Sequence, residues 1–186
     1  MTQERDTWPP GTVFTVGHST LPIERFLALL GAYAVARLID VRTVPRSRHN
    51  PQFNADALAA SLATAHIAYA AMPALGGLRH PDADSPNKGW RNESFRGYAD
   101  HMQTAAFREA VEELIALGRE RRTAIMCAEA VPWRCHRSLI ADALVVRDVP
   151  VIEILSETDW RPHRLTPFAH VEGTAITYPP AQASLF

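Results

Sequence analysis

The sequence predicts an α/β fold: a doubly wound, mostly parallel sheet of about five strands with helices on both faces, in a single domain. Three observations predict it. Short β-branched and aromatic runs alternate along the chain with longer segments whose apolar residues recur at helical spacing. Successive runs are too far apart for hairpins, and parallel neighbours need such crossovers, whose right-handedness lays helices on both faces. The length, 186 residues with 47% hydrophobic content, suits one domain with one continuous core.

Residues 1–11 read as an N-terminal extension. Residues 12–16 (Thr-Val-Phe-Thr-Val) are the first strand, followed by Gly17-His18-Ser19, and Pro22 sits near the first turn of a helix that runs to residue 30. Residues 35–39 form the second strand and deliver Asp40-Val-Arg42. After an Arg- and Pro-rich stretch, Asn54 is the expected N-cap of an Ala-rich helix ending near residue 66. Residues 67–71 are a weak third strand. The loop from 72 to 93 carries Gly76, Gly77, Pro81, Pro86 and Gly89, and loops of such length are usually functional or mobile. Residues 95–122 are helical, in one piece or two, with Phe107, Val111, Leu114 and Ile115 at helical spacing. Residues 123–126 make a fourth strand, 138–146 an amphipathic helix and 149–155 a fifth strand. The α/β domain thus spans 12–155, and 156–186 is a C-terminal extension.

The formal net charge of −1 excludes a general polycation, so any contact with nucleic acid must come from a local patch. No apolar run approaches the roughly 20 residues of a membrane span, and the charged start lacks an apolar signal core. The expected location is therefore cytoplasmic, with no membrane partner. Two cysteines, Cys127 and Cys135, are too few for a disulfide framework and in a reducing compartment are free thiols or ligands. Every basic residue except Lys88 is arginine, whose fork suits phosphate and carboxylate, although an Ala- and Arg-rich composition also follows from base composition alone.

Ligands of doubly wound sheets bind beyond the carboxyl ends of the strands, so the segments beginning at Gly17, Asp40 and Cys127 should share one rim. From Cys127 to Arg137 a strand end feeds a helix whose free N–H groups favour an anion, with Arg134 and Arg137 adding charge. A thiol there is readily acidified, which makes Cys127 the candidate nucleophile, Glu129 and His18 the candidate acid and base, and His136 a further proton carrier. The spacing Cys127-x6-Arg134 is one residue longer than the phosphatase loop, and Pro132-Trp133 is no small glycine-rich cradle, which excludes a standard phosphatase. Equally, Cys127 could be a small buried hydrophobe. Ser19, Asp40, Arg42, Arg46 and Arg48 suit either a bound phosphate or an internal ion-pair network. Zinc on Cys127, Cys135 and His136 is a weaker alternative, since adjacent residues on a helix point about 100° apart. No cofactor is assigned. In the long loop Lys88, Trp90, Arg91, Phe95, Arg96 and Tyr98 suit stacking on a nucleobase or, alternatively, a lid packed on the core.

Gly17-His18-Ser19, Asp40-Val-Arg42 with Pro45-Arg-Ser47, Leu75-Gly-Gly77, the segment around Tyr98, and Cys127-Ala-Glu129 with Cys135-His-Arg137 occur here in one order. In these motifs the chain closely resembles the domain of unknown function 488 family. The resemblance implies an α/β domain over roughly residues 12–155 and no assigned activity. Asp40-Val-Arg42 is also faintly similar to a segment of rhodanese-type sulfurtransferases, a pattern from which the rest departs. Two functions are expected. One is an enzyme acting on a nucleotide, nucleic acid or other phosphate-bearing substrate through the Cys/Arg/His/Glu pocket. The other is a non-catalytic phosphate- or nucleic-acid-binding module recruited to the DNA polymerase sliding clamp. Its tail, Gln182-Ala-Ser-Leu-Phe186, is similar to the peptide by which bacterial replication and repair proteins dock there, with Gln182 orienting and Leu185 and Phe186 entering an apolar pocket. Ala183 departs from the commoner Leu.

Overall fold

In the computed structural model, which describes residues 8–181, β-branched and aromatic runs form the strands and the Ala- and Leu-rich segments form the helices between them. Along the chain these are β1 (Val13–Gly17), α1 (Ile23–Ala32), β2 (Arg37–Asp40), α2 (Ala55–Thr64), β3 (Ala68–Ala71), α3 (Glu93–His101), α4 (Ala105–Glu120), β4 (Thr123–Cys127), α5 (Arg137–Val145) and β5 (Val151–Ile154). Three short strands follow: β6 (Trp160–Pro162), β7 (His170–Glu172) and β8 (Ala175–Thr177). The main sheet has the order β3-β2-β4-β1-β5-β6, and its first five strands are parallel. The sequence predicts about five strands; the sixth, β6, pairs antiparallel with β5 and comes from residues beyond 155. Three residues ending in proline carry no alternation to read, and proline is tolerated there because β6 is an edge.

Side chains alternate across the sheet and so fill two cores. Phe14, Val16, Leu38, Ala124 and Met126 face Phe26, Leu30, Leu58 and Leu62 of α1 and α2. Val13, Ile39 and Ile125 face Phe107, Leu114, Leu139 and Ile140 of α4 and α5. Apart from Ala124, each such buried side chain is worth roughly 1.5–3 kcal/mol relative to exposure. The predicted coverage of both faces is thus present. Trp8 joins the first core, edge-on to Phe14 at 4.9 Å and to Trp160 at 5.5 Å.

Local signals set the helix boundaries. Thr104 Oγ1 accepts from Phe107 N–H at 3.2 Å and starts α4, so the helical stretch breaks into two pieces after His101. Asn54 does stand at the N-cap of α2, but its side chain accepts from Ser47 N–H at 2.7 Å and ties down the preceding loop instead. No helix among the described residues is long and apolar enough to cross a membrane.

Candidate active site

Strand β4 lies between β1 and β2, with Gly17 level with Cys127 and Asp40 level with Met126. The three strands therefore end side by side. Backbone bonds carry the ladder into the loops: His18 N–H donates to Cys127 O, Ser19 N–H to Ala128 O and Val41 N–H to Met126 O, at 2.9–3.0 Å. The loop after β4 then crosses over β1. A Cβ on Gly17 would lie 1.9 Å from the Glu129 carbonyl oxygen, so only glycine permits the crossing. At Gly77 a Cβ would lie 2.4 Å from His136 Nδ1, and there the long loop closes down on the imidazole. Between these loops opens a cavity of about 710 Å³, whose lining includes His18, Ser19, Arg42, Arg46, Glu129, Arg134, Cys127, Cys135 and His136.

One wall is a fixed guanidinium. Arg42 donates from Nε and Nη2 to the two oxygens of Asp40 at 2.8 and 2.6 Å, and from Nη2 to Phe53 O at 2.8 Å. Asp40 is fully buried and also accepts from Arg42 N–H and from Tyr69 Oη–H at 2.8 Å. His18 stacks on Phe53 and is hydrogen-bonded to Ser19 O through Nδ1 at 2.8 Å, leaving Nε2 to accept from Arg42 Nη1 at 3.3 Å. Burial, with help from the Arg42 charge, pushes the His18 imidazole down to about 4 against the pull of the Ser19 carbonyl. His18 is thus neutral near pH 7, and its lone pair is engaged on Arg42. It positions that arginine rather than presenting a free base.

The opposite wall is sulfur. Cys127 and Cys135 are free and buried, with their Sγ atoms 2.6 Å apart. Arg137 lies beneath them, fully buried, donating from Nε to Cys127 Sγ at 3.1 Å, from Nη1 to Thr15 Oγ1 at 3.3 Å and from Nη2 to Glu129 O. Among the described residues no carboxylate pairs with it. A buried cation requires a counter-charge, and here the groups able to supply one are the sulfurs. Cys135 Sγ receives Arg137 N–H at 3.5 Å at the start of α5 and faces His136 Nδ1 at 3.6 Å. Although burial pushes the Cys135 thiol up, the Cys127 thiol, His136 and Arg137 together pull it well down. Cys127 is pushed up, first by its hydrogen bond to Cys135 and then by burial. The two shifts run in opposite directions, which makes Cys135 the more acidic thiol of the pair.

The sequence model of the family described as Domain of unknown function DUF488 matches residues 22–144. The chain belongs to this family. No curated protein and no solved structure matches it. The stretch matched to the DUF488 family contains Asp40, Arg42, Cys127, Cys135 and Arg137, whereas Gly17-His18-Ser19 lies before it.

Several positions differ from the sequence expectations. Asp40 and Arg137 lie beneath the cavity, and Arg48 is exposed and does not line it. The first turn of α5 offers no N–H to a guest, because Arg137 N–H goes to Cys135 Sγ, Ser138 N–H to Cys135 O, and Leu139 and Ile140 N–H to His136 O. Cys135 and His136 precede α5 instead of lying on it, so the expected 100° divergence does not apply and the two side chains meet. Among the described residues no group of three or more His, Cys, Asp or Glu is arranged to hold a metal ion. Of the residues grouped with the long loop, Phe95, Arg96 and Tyr98 lie on α3: Phe95 reaches the cavity, while Arg96 donates to Trp90 O and Tyr98 Oη–H to Leu75 O, as in a lid packed on the core. Tyr69, Phe53 and the acidified Cys135 carry roles that the sequence reading missed; a tyrosine two residues before the end of a neighbouring parallel strand was the available signal for Tyr69. Gln182, Leu185 and Phe186 lie outside the described residues.

Proposed function

We propose that this protein is a thiolate-dependent enzyme acting on a small phosphate-bearing substrate, nucleotides included. The observation that carries the reading is Arg137, 0% exposed, with sulfur where a carboxylate would ordinarily stand. His136 Nε2 is 2.9 Å from the Val41 carbonyl, which can only accept, so the ring proton belongs on Nε2 and the Nδ1 lone pair faces Cys135. Nδ1 takes the Cys135 proton. The thiolate is then held by the Arg137 N–H and the positive end of α5. Arg46 and Arg134, exposed on the cavity wall and without ion-pair partners among the described residues, receive the phosphate as a binding handle. Arg42 adds one N–H, since four of its five are engaged by Asp40, Phe53 and His18. His136 then returns that proton to a departing group, and Glu129, exposed at the cavity, is a further acid–base candidate.

Alkylation by iodoacetamide tests this. Cys135 should react at pH 6, inorganic phosphate or adenosine monophosphate should protect it, and Arg137→Met should slow the reaction at least about tenfold. A wild-type rate that rises only above pH 8, as for an ordinary thiol, and ignores phosphate would overturn the reading.

A further inference from the structure

Resting on that thiolate reading, we propose that Cys135 and Cys127 are an attacking and a resolving cysteine, and that the phosphate-bearing substrate belongs to the class of small anionic disulfides, reduced by two electrons. Four features of the site argue for it. The two sulfurs are unbonded yet 2.6 Å apart, close to the ~2.05 Å of a disulfide, so joining them demands little movement of either chain segment. Their surroundings differ in the sense the two roles require. Cys135 faces a base and the start of a helix, whereas Cys127 keeps its proton against the Glu129 carbonyl at 3.8 Å. The N–H groups at the start of α5 are consumed by Cys135 and His136, which leaves no ready cradle for a phosphoryl group in transfer. Thiol–disulfide exchange needs no such cradle, because its charge stays on sulfur throughout. Finally, Arg46 and Arg134 select an anion, and exposed Val44 and Leu78, 59% and 73% accessible on the cavity wall, accept the uncharged part of the molecule.

The chemistry balances as follows. Cys135 Sγ⁻ attacks one sulfur of R–S–S–R; a Cys135–S–S–R bond forms, and the first RS⁻ leaves with the proton that His136 Nδ1 took from Cys135. The Cys127 sulfur then attacks Cys135 Sγ, the second RS⁻ departs with the Cys127 proton, and a Cys127–Cys135 disulfide remains. Two electrons and two protons have passed from the dithiol to the substrate, which becomes two RSH. An external thiol reductant returns the protein disulfide to the dithiol and closes the cycle.

The reduced full-length chain, mixed with glutathione disulfide as the anionic probe and hydroxyethyl disulfide as the neutral one, decides the matter by intact-mass spectrometry. Wild type should lose two hydrogens without retaining glutathione, while Cys127→Ser and Cys127→Ala should each trap one glutathione on Cys135. In the Arg46→Ala, Arg134→Ala double variant, reduction of glutathione disulfide should slow about tenfold more than that of hydroxyethyl disulfide. If iodoacetamide labels Cys135 at pH 6 but neither Cys127 variant traps glutathione, or wild type retains a stable adduct, the paired mechanism falls and the thiolate reading stands. Absence of both labelling and trapping removes the two together.

Discussion

Two buried polar clusters, on either side of β1, handle charge in opposite ways. Beyond β5, Asp142 and Glu153 are buried carboxylates with every obvious partner present: His163 contacts both, at 2.8 and 2.7 Å, Tyr178 Oη–H and Thr166 N–H donate to Asp142, and Arg161 pairs with Glu153. Under β4, by contrast, the buried Arg137 has two sulfurs and carbonyl and hydroxyl oxygens but, among the described residues, no carboxylate. The first cluster joins residues 161–178 to α5 and β5 through paired groups. In the second, the groups able to balance the cation are two free sulfurs at the edge of a cavity. A fully paired network binds segments together, whereas an incompletely paired one stores reactivity.

Removing a partner from the paired cluster should give the largest effect. Asp142→Ala leaves His163 and Tyr178 without their shared acceptor and should cost about 3–5 kcal/mol in urea unfolding, while the alkylation rate of Cys135 stays as in wild type. Comparable losses of stability and thiol reactivity in that variant would erase the distinction between the clusters.

The pH dependence sharpens the contrast. Burial alone would push His163 down, but its bonds to Asp142 and Glu153 more than offset this and lift it to about 9. Its contribution, about 3 kcal/mol, is present in full below the unfolded value near 6.5 and is lost as pH rises through 9. His18, held down to about 4, works the other way: it costs nothing above pH 6.5 and destabilises progressively as the pH falls toward 4. Unfolding midpoints for wild type, His163→Gln and His18→Gln between pH 4.5 and 9 check this, each variant flattening its own limb of the curve.

The smallest effect separates two neighbouring arginines. Arg46→Ala should weaken phosphate protection of Cys135 roughly tenfold, while Arg48→Ala, outside the cavity, should leave it unchanged. Equal losses would mean that the anion sits elsewhere on the loop.

Strand ends were readable because β1, β2 and β4 are short hydrophobic runs that stop at Gly17, Asp40 and Cys127, and a parallel sheet sends all such ends to one rim. What happens within the rim was less visible. The 3₁₀ turn Pro132–Arg134 brings Cys135 back beside Cys127, and no local pattern reports where such a turn deposits the next side chain. Tyr69 acts on Asp40 from strand β3, and Phe53 acts on Arg42 and His18 from the connection between β2 and α2, through tertiary contacts that periodicity does not encode. Asn54 looked like a helix cap because its position was right, yet Ser47 competes for the same oxygen. Edge strand β6 was unreadable for the opposite reason: only pairing with β5 makes three residues a strand.

Because the sulfur-bearing strand β4 is flanked by two fully bonded neighbours and the sheet edges are β3 and β6, fraying by ordinary thermal motion begins away from Cys127. Amide exchange should therefore be slowest where the thiols are anchored. Warming toward the melting range would loosen the perimeter first and leave Cys127 in place until the central ladder itself gives way.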